Sequence, residues 1–251
     1  MRIAITADST CDLSEALCAE YHITLSPLSV LIDGLSYHDG VDITPADIFA
    51  ASDAGKKIHT AAVNEAEYTA LFAKMLCTHD AVIHVTIGSE FSACYQHACV
   101  AAAQFDRVFV VDSRNLSTGS GHLVLDAAEL AASGMAPEAI KDELCRRAAL
   151  VRASFVVDSV DYLRRGGRCS GIEAVGAKLL SIKPSIEVQD GRMGVGRKYR
   201  GSFRRCLEHY VLDQLGDGEG IDWSRVFITH SPCSGDEPAF VRSLLEKHAH
   251  F

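Results

Sequence analysis

The chain has 251 residues, 48% hydrophobic and 23% charged, which are globular values and set aside disordered and fibrous classes. The net charge of −9 argues against a general nucleic-acid binder, and no apolar run approaches the roughly 18 residues of a membrane span. Nine cysteines, odd in number and without a CxxC pair, fit a reduced cytoplasmic setting better than a disulfide scaffold or zinc ribbon. The opening Met1-Arg2-Ile3-Ala4-Ile5-Thr6 lacks the apolar length expected of a secretory signal.

In chain order, Ile3 to Ala7 reads as a strand followed by Asp8-Ser9-Thr10, and Ser14 caps a helix through Tyr21. Val82 to Ile87 is a second strand, with a helix from about Ser92 to Gln104. Val108 to Val111 is a third strand, ending in Asp112-Ser113. Helices follow from about Gly121 to Ser133 and from Pro137. Continuous apolar strands alternating with helices predict a parallel sheet covered on both faces. The pattern changes near Ser154. Ala153 to Val157 reads as a strand, and Tyr162 to Arg168 breaks it. Ser185 to Val188 and Met193 to Lys198 flank Asp190-Gly191, a hairpin signal. A helix from Ser202 to Leu215, a strand from Val226 to Thr229 and a helix from Glu237 to His248 complete the reading. The expected architecture is α/β in two domains: a parallel-sheet domain over 1–157, and an α+β domain with a β-hairpin over 158–251.

The charge is uneven. Val160 to Cys206 holds eleven Lys or Arg against four acids, a local +7 against −16 elsewhere. That is either a solvated face or a site for an anion or acidic partner. In open parallel sheets ligands gather beyond the carboxyl ends of strands. Three segments lie there: Asp8-Ser9-Thr10, Gly88 to Ser92, and Asp112-Ser113 with Ser117 to Gly121. Their hydroxyls either cap helices or hold a carboxylate or phosphate at helix starts. GxSxG, GxGxxG and HExxH are absent from the sequence. Gly171 to Lys178 resembles a P-loop only at a glance, with its Lys displaced by one place. His84 reads as a satisfied core histidine and His122 as a weak site candidate. Gly166-Gly167-Arg168 is either a surface turn or a close backbone approach with a guanidinium for an anion.

Taken together, these motifs resemble the DegV family. Thr6 to Leu13 resembles its opening T-D-S-T/A-x-D-L. His84 to Gln96 resembles h-x-x-h-S-S-x-L-S-G-T-Y-Q. Val110 to Ser113, with Gly119 and Gly121, is similar to the next strand and its turn. Asp161 to Arg168 is similar to Y-L-x-x-G-G-R-I-S, and Ile182 to Ile186 with Asp190-Gly191 to the K-P-x-h…D-G hairpin. The order and spacing hold to about His230.

The resemblance implies a carrier rather than an enzyme. A long-chain fatty acid would lie in an apolar tunnel between two domains and be presented to a separate kinase for acyl-phosphate formation. It implies Thr60, Ser92 and Ser89 at the carboxylate and Arg168 at the kinase, with no cofactor, metal set or nucleic acid. The expected carrier is a cytoplasmic monomer, and its basic residues would meet the kinase or, transiently, an anionic membrane surface. Departures are visible. Thr60-Ala61-Ala62-Val63-Asn64 stands where the family reads T-S-Q-P-S, Ser92-Ala93-Cys94 where it reads S-G-T, and Gly88 replaces the first Ser of S-S. The family's closing strand and H-T-G-P-G motif have no counterpart before Phe251. The rival readings are an α/β enzyme acting on a small phosphorylated or carboxylated substrate, and a nucleic-acid-binding module.

Overall fold

A computed structural model describes residues 1–172, 182–231 and 235–248. The chain divides into two compact units, Met1–Val151 and Arg152–Phe251. The first contains β1 (Ile3–Asp8), a 3-10 turn (Ser9–Cys11), α1 (Glu15–Glu20), β2 (Ile23–Ser26), β3 (Ser29–Ile32), β4 (Leu35–His38), α2 (Pro45–Asp53), β5 (Ile58–Ala61), α3 (Glu65–Leu76), β6 (Ala81–Thr86), α4 (Cys94–Ala102), β7 (Val108–Asp112), α5 (Thr118–Ala132) and α6 (Pro137–Ala148).

Its main sheet runs β2-β1-β6-β7 with every pairing parallel. All six residues of β6 are buried, as a strand covered on both faces must be. Successive side chains alternate sides. Val82 and His84 therefore face the Tyr68 and Phe72 rings of α3, while Ile83 and Val85 point the other way. Helices α5 and α6 pack against β1, β6 and β7. Local chemistry sets the helix starts. Ser14 caps α1, and capping boxes open α2 (Thr44 with Asp47) and α3 (Asn64 with Glu67).

A second sheet, antiparallel and ordered β4-β3-β5, lies in the stretch that the sequence reading left without elements. Its hairpin turns on Asp33-Gly34, both at positive φ (50° and 87°), the combination a type I′ turn requires. Its apolar face holds Val30, Ile32 and Ile58 against Ile43, Ile48 and Ala51. Helix α5 starts at Thr118, ahead of the expected Gly121. Both glycines read as a turn lie inside α5, and Gly121 is a packing glycine: a Cβ there would sit 2.9 Å from the Cys11 carbonyl oxygen.

The second unit contains β8 (Ser154–Val156), α7 (Asp161–Gly166), β9 (Cys169–Ser170), β10 (Ile182–Gln189), β11 (Arg192–Arg200), α8 (Phe203–Leu215) and α9 (Glu237–His248). Its sheet runs β8-β10-β11-β9. Strand β8 pairs with β10 and so belongs here, whereas a boundary at 157 leaves it in the first unit. Strands β10 and β11 form the expected hairpin over Asp190-Gly191, again with both φ values positive. Pro184 sits at a register shift, where a strand tolerates a residue without N–H. Two expectations are corrected. Val226 to Thr229 is not a strand: it joins none of the described sheets, and β-branched composition alone does not make a ladder. Tyr162 to Gly166 forms α7 rather than only a break. Gly167 ends it at φ 68°, its N–H donating to the Leu163 carbonyl at 3.1 Å.

Replacing Gly191 with Ala forces a side chain into the left-handed region, which costs about 1 kcal/mol. A denaturant titration should show a lower midpoint for the second unit. An unchanged midpoint would remove the turn's conformational role.

Candidate functional site

The site is built on the carboxyl end of β1. The Asp8 side chain is 1% exposed. It accepts a hydrogen bond from the Tyr68 hydroxyl at 2.6 Å and one from the Ile87 N–H at 2.9 Å. His84 Nε2 lies 3.4 Å from the same carboxylate, and His84 Nδ1 is 2.8 Å from Thr6 Oγ1. A buried carboxylate requires such donors, because burial without them costs several kcal/mol. Burial, and then the Asp8 carboxylate itself, push the Tyr68 phenol far up, so it remains a donor. The cluster ties β1 to α3 and anchors the loop that leaves β6.

That loop carries two of the expected head-group residues. The Ser89 N–H and hydroxyl donate to Asp112 at 3.1 and 2.6 Å, and Asp112 also accepts from the Arg114 N–H at 2.8 Å. The Ser89 hydroxyl proton is therefore committed to Asp112. Ser92 is half-buried. Its hydroxyl donates to the Cys94 thiol at 3.1 Å and accepts from the Cys94 N–H at 3.3 Å. A thiol is a weak acceptor, so this hydroxyl can turn to a better one at low cost. Burial pushes the Cys94 thiol up, and Asp8 adds to the effect.

Thr60 lies on β5 directly opposite Val30, so its side chain shares the apolar face of Val30, Ile32 and Ile58. It is exposed at the edge of that face, and its hydroxyl makes no hydrogen bond among the described residues. The chain from Thr60 reaches α4 at Val63, whose carbonyl accepts from His97 Nδ1 at 2.8 Å. Val63 thus links the Thr60 strand to the helix that Ser92 opens. Arg168 belongs to the second unit; it is exposed and donates to the Gly166 carbonyl at 2.6 Å.

Most other hydroxyls at the strand ends serve the fold. Ser9 Oγ donates to Asp39 at 2.7 Å and accepts from the Leu28 N–H at 3.2 Å. Ser113 Oγ is engaged with Asn115 and Ser120. Thr10 Oγ1 and Asn115 Oδ1 are buried without a protein partner among the described residues. His84 is a core histidine, but it is satisfied only at Nδ1, by Thr6; its buried Nε2 has no hydrogen-bond partner among the described residues and lies 3.4 Å from the Asp8 carboxylate. The P-loop-like stretch lies outside the described residues from position 173 on. Part of the basic segment is neutralised by acids flanking it: Lys183 pairs with Asp158, Arg197 with Asp213 and Arg204 with Asp236. Among the described residues no group of three His, Cys, Asp or Glu could hold a metal ion, and no helix is long and apolar enough to cross a membrane. Sequence reasoning singled out Asp8 but missed Tyr68, a polar residue at a buried position of α3.

The result is a two-unit α/β protein whose candidate site offers neutral hydroxyls beside an apolar sheet face. The model of the DegV family, described as an uncharacterised protein family, matches residues 2–250, and the chain belongs to that family. A DegV domain-containing protein of Caldanaerobacter subterraneus is 36% identical over 225 residues, 89% of this chain and 79% of the relative. A solved DegV family protein from Thermus thermophilus, described by its fatty acid binding, superposes with a TM-score of 0.78 at 32% identity, over 88% of this chain and 79% of its own. DegV of Bacillus subtilis, a fatty acid binding protein, gives 0.75 at 27% identity, over 86% of this chain and 78% of its own. A stearic acid-binding protein from Eubacterium ventriosum gives 0.74 at 27% identity, over 87% and 78%.

Tyr68→Phe removes a donor from the buried Asp8 and should cost about 1–3 kcal/mol in chemical unfolding; no loss would mean that the Tyr68 bond contributes nothing. Gly88→Ser restores the family's residue but adds a Cβ 3.0 Å from both the Asn115 nitrogen and the Phe91 ring. It should destabilise by about 1 kcal/mol or more, and a gain in stability would contradict this packing.

Proposed function

We propose that this protein is a carrier. It binds a long-chain fatty acid, holds the carboxylate with the Thr60 and Ser92 hydroxyls, and presents it to a partner kinase that forms the acyl-phosphate. The observation that carries the reading is Thr60, a hydroxyl without a protein partner among the described residues, at the rim of the apolar face of Val30, Ile32 and Ile58. The solved relatives described as fatty-acid-binding support the same ligand class.

Neutral hydroxyls suit this task. A carboxylate accepts several hydrogen bonds, and each charge-assisted bond is worth about 1.5–3 kcal/mol. An acyl chain contributes about 0.8 kcal/mol per buried CH₂, so the tail dominates affinity and the hydroxyls select the head group. Ser89, with its proton committed to Asp112, acts by holding the loop that carries Ser92. Arg168 is the contact for the kinase. In this reading the carrier works in the cytoplasm as a monomer, and its basic segment touches an anionic membrane surface only transiently.

Thr60→Ala combined with Ser92→Ala should weaken oleate binding by about 10- to 100-fold in calorimetric titration. Unchanged oleate affinity would defeat the head-group assignment. Arg168→Glu should lower kinase-dependent acyl-phosphate formation by at least about 10-fold with oleate affinity retained, since reversing a charge at an interface costs at least about 1.4 kcal/mol. Full turnover by that variant would remove Arg168 from the kinase contact.

A further inference from the structure

Val63 sits between Thr60 and the α3 cap Asn64 and is 1% exposed. Helix α4 takes up its backbone carbonyl, which accepts from His97 Nδ1 at 2.8 Å. A carbonyl only accepts, so Nδ1 carries the proton in this contact. The fully buried Cys94 sulfur also receives the Ser92 hydroxyl at 3.1 Å. Helix α4 therefore holds both the expected head-group serine, through Cys94, and the peptide just past the expected head-group threonine, through His97. Three residues of chain span at most about 10 Å, so fixing Val63 limits where Thr60 can lie.

Two residues of this arrangement are also departures from the family pattern. Val63 stands where T-S-Q-P-S has its proline, and Cys94 where S-G-T has its threonine. Both lie in the same buried apolar cluster. His97, from the next turn of α4, fixes the Val63 carbonyl.

We infer that Cys94 and His97 are positioning residues: Cys94 holds the Ser92 hydroxyl and His97 grips the Val63 peptide, and from one helix they set the spacing of the Thr60 and Ser92 hydroxyls and so the selectivity for a carboxylate head group. The inference rests on the fatty-acid reading. Two hydroxyls must converge on one carboxylate to within a few tenths of an ångström, and a loosened loop loses that convergence before it loses apolar contact.

The test compares oleate with oleyl alcohol, which keeps the tail and lacks the carboxylate, in titrations of the full chain. His97→Phe should lower oleate affinity about 10-fold, as expected for losing one hydrogen bond's worth of positioning, and leave oleyl alcohol within about 3-fold. His97→Asn should restore oleate binding, because its amide N–H can replace Nδ1–H. Cys94→Ala, which releases the Ser92 hydroxyl, should lower the acid-to-alcohol ratio. His97→Phe leaves the thiol contacts in place and carries the test if Cys94→Ala fails to fold. Acid and alcohol affinities falling together, or an unchanged ratio in both single variants, would overturn the inference while the carrier reading stands. A wild type that takes up no oleate defeats both.

Discussion

The first unit is organised around one buried charge. Asp8 ends the central strand β1 inside the protein, and its carboxylate is stable there only because Tyr68 from α3 and the Ile87 N–H from the end of β6 donate to it. Those two bonds join residues 60 and 79 positions apart and dictate where a helix and a loop must lie relative to the sheet. Asp112 repeats the device at the end of β7, where it accepts from Ser89 and Arg114. Two carboxylates thus hold the loops at the carboxyl edge of the sheet, and the Ser92 hydroxyl is presented by a loop pinned on both sides.

This arrangement separates structural from available hydroxyls. Ser9, Ser89 and Ser113 are spent on carboxylates, peptide groups and each other's neighbours. Thr60 and Ser92 are spared: the first lacks a protein partner among the described residues, and the second donates its proton only to a thiol. A carboxylate ligand competes poorly with water for a hydroxyl already committed to an aspartate, and well for one that is not. The polar edge of the sheet therefore narrows to a small set of donors next to an apolar face.

Much of the fold was legible in the sequence because its signals are local. The apolar runs Ile3 to Ala7 and Val82 to Ile87 read as buried parallel strands, close to the observed Ile3–Asp8 and Ala81–Thr86, Ser14 as a cap, and Asp190-Gly191 as a hairpin. The β4-β3-β5 sheet escaped notice although Asp33-Gly34 carries the same turn signal, because its strands are only four residues long and half exposed. Val226 to Thr229 has strand composition, yet it joins none of the described sheets. The candidate site was legible only in part. Thr60 and Ser92 followed from a family resemblance, whereas the Tyr68–Asp8 and His97–Val63 bonds join residues too distant in sequence for periodicity to pair. The replacement of proline by Val63 and of threonine by Cys94 looked like two unrelated losses in the sequence. In the fold they lie in one buried cluster.

The most direct test of the carrier account is native mass spectrometry of the protein as purified from a bacterial host, with the bound species released by denaturation and identified. The account predicts one long-chain fatty acid per chain, replaced one for one when a different fatty acid is added. A protein that arrives empty and stays empty in added oleate, or that holds a phosphorylated small molecule instead, would contradict it.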